Sequence, residues 1–233
     1  MNFEPMKESV IEHATINLSG TVNSNNTIGK ITFDNLGYNY FHFITSRPYA
    51  VKVHFNKELG GFFICTNPDG TNPSAPCCKY EEKPSFWYYI YPVIHYEGLG
   101  AKGEVIPGTT KATFKCLAVT NSGQQQFNEL EADGVDFTKM DIKGKKDGSQ
   151  QTSTIRYTVA GKSRIDNEAL SDYAKTIKAV WDANNDGETI IKFVAKPMTD
   201  REYLDKTGRG ELESVETLDD SDFDNNPFDE DED

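Results

Sequence analysis

Along most of the chain apolar and polar residues alternate in short runs, and the apolar positions are filled largely by aromatic and β-branched residues. Runs of this period, bounded by clusters of Gly, Pro, Asn and Asp, predict strands over residues 27–33, 40–45, 50–55, 61–65, 86–96, 111–119, 136–143, 154–159 and 188–196. One stretch carries a clear helical period instead. Leu170, Tyr173, Ala174, Ile177 and Trp181 recur at helical spacing, Asp166 stands where it can cap the start, and Asn184, Asn185, Asp186 and Gly187 end the run. These signals predict a helix over 167–183. A short helix is expected over 200–206, because Thr199 and Glu202 form a capping-box pair ahead of Gly208.

Many short strands around one main helix predict a mainly β fold, a Greek-key barrel or sandwich, with the oligonucleotide-binding (OB) barrel the favoured small version. A chain of 233 residues suits one main domain with appendages. Aromatic residues are concentrated, with fifteen of the 27 between Tyr38 and Tyr96. The densest run is residues 86–91, where a strand would place Phe86, Tyr88 and Ile90 on one face and Trp87, Tyr89 and Tyr91 on the other. The second face is either a second buried face or a platform on which flat ligands stack.

Charge is equally uneven. The net charge is −13, yet residues 211–233 contain twelve acids and no base; without those twelve, 25 acids face 24 bases. The chain therefore reads as a near-neutral body, 1–210, followed by a polyanionic tail, 211–233, with too little apolar surface to fold. Within the body, residues 139–164 hold seven bases against Asp141 and Asp147, a local cationic segment. No run approaches the ~18 apolar residues of a membrane span. The first fifteen residues contain no secretory pattern, so a cytoplasmic protein is expected.

Several apparent motifs dissolve on inspection. Gly98, Gly100 and Gly103 spell a dinucleotide-binding pattern, but the residues that follow, through Pro107 and Gly108, cannot open the helix that pattern requires. Asp182, Asn184 and Asp186 begin like a calcium loop, but its twelfth position is Phe193 instead of a bidentate Glu. No catalytic constellation is present, so an enzyme is not expected. The remaining cluster has more content. His54, Cys65, Cys77 and Cys78 fall within 25 residues and flank a Pro/Asn/Gly-rich stretch, 66–76, that would be ordered by a staple such as a metal ion. Against this, adjacent cysteines chelate less readily than Cys-x-x-Cys, and Cys65 on an apolar strand suits a core position; Cys116 reads as core.

The tail carries a resemblance. Phe223 within Asp-Phe-Asp, followed by Pro227 and Phe228 among acids, is similar to the acidic tip of bacterial single-stranded DNA-binding proteins. The order of parts in the body resembles bacteriophage single-stranded DNA-binding proteins of the T-even helix-destabilising type. Two features depart from these patterns: Cys77 and Cys78 are adjacent, and five acids follow Phe228. The resemblance implies an OB barrel with a His-Cys-Cys-Cys zinc insertion at about 54–80, Zn2+ being held by His54, Cys65, Cys77 and Cys78. It further implies a non-enzymatic protein of phage replication, recombination and repair in the host cytoplasm. In that reading Lys143, Lys145, Lys146, Arg156, Lys162 and Arg164 bind phosphates. Trp87, Tyr89 and Tyr91, with Tyr38, Tyr40 and Phe43, stack on bases. The tail, through Phe223, Pro227 and Phe228, recruits replication and recombination proteins, and copies self-associate along the DNA. Two alternatives remain at this point: an acidic DNA mimic or assembly protein that binds proteins, favoured by the near-neutral body, and a carbohydrate-binding β-domain.

Overall fold

The computed structural model describes residues 29–33, 37–72, 74–106, 109–147, 154–164, 168–183 and 194–210. Eight strands form one sheet: β1 (Gly29–Lys30), β2 (Tyr38–Phe43), β3 (Tyr49–Asn56), β4 (Gly61–Ile64), β5 (Phe86–Glu97), β6 (Lys111–Val119), β7 (Met140–Asp147) and β8 (Thr154–Lys162). Among the described residues four helices accompany them: α1 (Pro76–Tyr80), α2 (Asn121–Ala132), α3 (Glu168–Ala183) and α4 (Asp200–Lys206).

The sheet is organised by β5. One edge of this 12-residue strand pairs antiparallel with β6 along nearly its whole length. The other edge is shared, with β3 against residues 86–90 and β2 against 93–96. From β2 the sheet continues through β7 to β8, from β3 it branches to β4, and β1 adds in parallel to β6. The expected closed OB barrel with one main helix is therefore not the fold. The protein is a mixed α/β structure with an open sheet, and among the described residues no pairing joins β1 to β8. Local chemistry helps to keep β8 an edge. The Gln126 side chain of α2 occupies it, accepting from the Tyr157 amide (3.0 Å) and donating to the Ile155 carbonyl (2.9 Å), where a further strand would have to bond.

Both faces of the sheet are buried, as the alternation on β5 requires. Tyr88, Ile90, Ile94 and Tyr96 point to one core with Val51, Val53, Ala112, Phe114 and Cys116, against which Ala174 and Trp181 of α3 pack. Tyr91 and Val93 point to the other with Phe41, Phe43, Leu117 and Ile142, closed by Phe127 of α2. Cys116 is thus a core residue, and burial pushes its thiol up to about 12. Gly123 lets α2 start this close to the sheet, since a Cβ there would come within 2.8 Å of Val119 Cβ. α2 was not expected. Its Gln-rich sequence has only two apolar side chains on the sheet side, Phe127 and Leu130.

The body also contains one buried polar centre. Asp141 on β7 accepts from the Arg164 guanidinium (Nη1, 2.6 Å), the Arg164 amide (3.2 Å) and the Tyr96 hydroxyl (3.4 Å). His42 Nδ1 lies 3.2 Å from the same carboxylate and 2.9 Å from Ser163 Oγ. A third, smaller apolar cluster of Phe63, Cys65, Cys77, Met198, Tyr203 and Leu204 joins α1 and α4 to the β3–β4 hairpin. Among the described residues no helix is long and apolar enough to cross a membrane.

Candidate metal centre

Four side chains converge in that smaller cluster. His54 lies on β3, opposite Phe63 of β4, and Cys65 is the first residue beyond β4, held by its amide to the Lys52 carbonyl (2.9 Å). Cys77 and Cys78 sit in the first turn of α1, which opens on Pro76, a residue suited to that position. The sequence reading took the adjacency of these cysteines as an obstacle to chelation. Placing both in the first turn of a helix removes it, because consecutive side chains there are set about 100° apart around the helix axis.

The geometry is that of a tetrahedron. The ligand atoms of His54, Cys65, Cys77 and Cys78 all lie within 4.8 Å of one another. The Sγ atoms are 3.5 Å (Cys65–Cys78), 3.9 Å (Cys77–Cys78) and 4.0 Å (Cys65–Cys77) apart, and His54 Nε2 is 3.7 Å from Cys78 Sγ. A zinc ion with Zn–S bonds of ~2.3 Å demands tetrahedral S···S edges of about 3.8 Å. These separations match that edge and are far from the ~2.05 Å of a disulfide. All four cysteines of the chain are free. His54, Cys65 and Cys77 are buried, so the site is closed from solvent on three of its four corners.

Surrounding groups are arranged for thiolates. The Thr66 amide bonds Cys77, the Asn67 amide bonds Cys65, and the Asn67 side chain bonds Cys78, while the Thr66 hydroxyl, 3.3 Å from Cys77 Sγ, donates its proton to Asp200. Hydrogen bonds from Cys65, His54 and Thr66 pull the Cys77 thiol well below its ordinary range, while its hydrogen bond to Cys77 and burial push Cys65 up. A soft divalent cation at the centre of the cluster would take the place of the thiol protons. The ring of His54 is positioned by stacking on Phe63 (centroids 5.4 Å, 19° between planes). Its Nδ1 is buried without a hydrogen-bond partner, so stacking rather than an outer carboxylate orients this ligand. The cluster is consistent with a structural Zn2+ site held by the four residues singled out in the sequence.

The loop between the cysteines has more internal order than its composition suggests. Asn67 Oδ1 accepts from the Asn72 amide (2.9 Å) and Asn67 Nδ2 donates to the Asn72 carbonyl (2.5 Å), closing residues 67–72 into a ring. Thr66, Asn67 and Asp200 were not singled out in the sequence. The Asn-Pro-Asp-Gly run beginning at Asn67 was the available signal, since Asn in such a turn commonly bonds backbone groups nearby.

Of the other sequence-predicted residues, Tyr38, Lys143, Lys145 and Arg156 are brought together on β2, β7 and β8, and the rest are dispersed. Tyr91 and Phe43 are buried together in the core (ring centroids 4.9 Å), and Tyr40 is buried too. Tyr89 is half-buried against the same core, while Trp87 and Tyr38 keep 38 % and 49 % of their surface exposed. The row Trp87, Tyr89, Tyr91 is thus the second face of a two-sided buried strand. Lys143 and Lys145 lie over the Tyr38 ring (4.8 and 5.5 Å), and Arg156 pairs with Asp147 (3.3 Å). Lys146 is half-buried, Lys162 is exposed, and Arg164 is buried on Asp141. Phe223, Pro227 and Phe228 lie outside the described residues.

Comparison with known proteins returns no matching family model, no match among the curated proteins and no match among the solved structures. Together with the open sheet, this overturns the resemblance to the T-even type of single-stranded DNA-binding protein, and the DNA-coating function it implied.

Proposed function

We propose that this chain is a zinc-binding α/β protein in which the ion is structural. The observation that carries the reading is the closed tetrahedron of His54, Cys65, Cys77 and Cys78. Four protein ligands leave no open coordination position for water or substrate, which is the pattern of a structural rather than a catalytic zinc. The ion would join the β3–β4 hairpin to α1 and complete a cluster that has only six fully buried apolar residues, two of them ligands. Binding free energy is then folding free energy for this part of the molecule. Such a thiolate-rich site suits a reducing compartment, and we place the protein in the cytoplasm. Partner contacts, on this reading, fall to residues 211–233, whose twelve acids suit a basic surface.

The test is thermal unfolding of the intact protein before and after a strong chelator, with zinc then restored. The midpoint should fall on chelation and return with Zn2+ but not with Mg2+, and Cys65→Ser should behave like the chelated protein. A midpoint indifferent to chelator and zinc contradicts the proposal.

A further inference from the structure

α4 leans on the metal ligands through three independent contacts. The Thr66 hydroxyl touches both Cys77 Sγ (3.3 Å) and Asp200 Oδ1 (2.5 Å), so one side chain links a sulfur ligand to the first residue of α4. The Phe63 ring lies between the His54 ring (5.4 Å) and the Tyr203 ring (5.7 Å), a three-ring column from the nitrogen ligand to the centre of α4. The segment leading into α4 runs beside β4 as a short parallel strand, with the Ile64 amide bonded to the Lys196 carbonyl (2.9 Å) and the Lys196 amide to the Phe62 carbonyl (3.0 Å). Tyr203 is fully buried, and its hydroxyl donates to Glu81, just past the end of α1 (2.8 Å).

What holds α4 otherwise is slight. It has seven residues, too few to be helical alone, and its capping box satisfies its own first turn without tying it to the sheet. Its buried apolar partners are Phe63, Cys65, Cys77 and Met198. Two of these are the ligands themselves. With the sulfurs fixed on a metal, Phe63, Thr66 and α1 present a rigid surface; without it, two buried sulfurs, a half-buried third and a short loop must keep that surface formed alone. The polyacidic residues 211–233 follow a few residues after α4 in sequence.

Resting on the zinc reading above, we propose that α4 and the metal centre are one coupled unit, in which the ion fixes the position of α4 and Thr66 and Asp200 are the positioning residues that carry the coupling. Thr66 does so because its amide bonds Cys77 while its hydroxyl, 3.3 Å from the same sulfur, gives its proton to Asp200. Asp200 does so because its carboxylate fixes where Thr66 stands. By linkage, whatever loosens α4 weakens the metal, and loss of the metal frees α4.

The experiment uses the full-length protein and three variants, Thr66→Val, Thr66→Ser and Asp200→Ala. Each is loaded with Co2+ for its absorption spectrum, and zinc affinity is measured by competition with a chromophoric chelator. All four proteins keep all four ligands, so all should show the same tetrahedral cobalt–thiolate bands. Zinc affinity should fall about 10- to 100-fold in Thr66→Val and Asp200→Ala, the usual effect of losing an outer partner of a ligand, and should stay near the wild type in Thr66→Ser. In the wild type, chelation should also speed tryptic cleavage at Arg201, Lys206 and Arg209 by about tenfold or more, as a docked helix becomes an open one. Unchanged affinity in Thr66→Val, or cleavage of α4 indifferent to chelation in a protein that has lost its zinc, overturns the coupling while leaving the metal site standing. A wild-type protein without cobalt–thiolate bands overturns the metal reading itself and the coupling with it.

Discussion

Asp141→Ala is the substitution for which the body of the protein gives the sharpest forecast. The carboxylate is fully buried and its partner Arg164 has only 1 % of its side chain exposed, so neither charge can turn to water when the other is removed. The pair is well made, with Nη1 2.6 Å from Oδ2, and Arg164 donates its second arm to the Gly103 carbonyl (2.7 Å) between the rings of Tyr40 and Tyr96. Deleting the carboxylate leaves a buried guanidinium without its counter-charge, which costs about 3–5 kcal/mol. For a protein of this size that corresponds to a fall of about 6–20 °C in the unfolding midpoint. Guanidinium titration followed by circular dichroism reads this as a lower midpoint at unchanged slope. The double variant Asp141→Leu with Arg164→Met should be closer to wild type than Asp141→Leu alone, because it removes both charges and keeps the volume. If Asp141→Ala lies within about 1 kcal/mol of wild type, the pair is not desolvated and the reasoning fails.

Two further substitutions test other parts of the structure. Burial, with Lys115 beside it, pulls the His95 imidazole down to about 4, against ~6.5 in an unfolded chain. The folded protein keeps the ring neutral where the unfolded chain protonates it, so this contribution is complete above pH ~6.5 and is lost as the pH falls toward 4, by about 3 kcal/mol in all. His95→Gln should flatten that part of the stability–pH curve, and a curve superposable on the wild type would contradict the assignment. Thr199→Ala removes the capping box of α4, in which the Glu202 amide bonds Thr199 Oγ1 (3.2 Å) and the Thr199 amide bonds Glu202 (2.9 Å). It should cost about 1 kcal/mol and raise the hydrogen-exchange rate of the Glu202 amide severalfold, and unchanged exchange would show that the helix start is held by something else.

Elements were legible in this sequence wherever their signal is local. β6 falls on the expected residues 111–119, and α4 starts at the capping box written in Thr199 and Glu202, because alternation and capping are decided by neighbours in the chain. How strands pair is decided elsewhere. Nothing in residues 86–97 announces that one edge of β5 serves both β2 and β3, or that Gln126 blocks β8, so counting strands suggested a barrel where the sheet stays open. α2 was hidden because a helix lying on a sheet needs few apolar residues, and here Phe127 and Leu130 suffice. The cationic segment misled for a similar reason. Charge is visible in sequence but burial is not, and Arg164, counted with the surface bases, turned out to be the partner of a buried Asp141. The metal ligands were legible as a set from residue type and proximity. Their adjacency at Cys77 and Cys78 made sense only once α1 was seen to begin at Pro76.

The central claim is that His54, Cys65, Cys77 and Cys78 hold one zinc ion. X-ray absorption at the zinc edge, on protein purified without chelator and shown by metal analysis to carry one Zn per chain, tests it most directly. The account predicts three sulfurs at ~2.3 Å and one imidazole nitrogen at ~2.0–2.1 Å, with no oxygen ligand. Protein that carries no stoichiometric zinc, or zinc in an oxygen-rich shell, would contradict it.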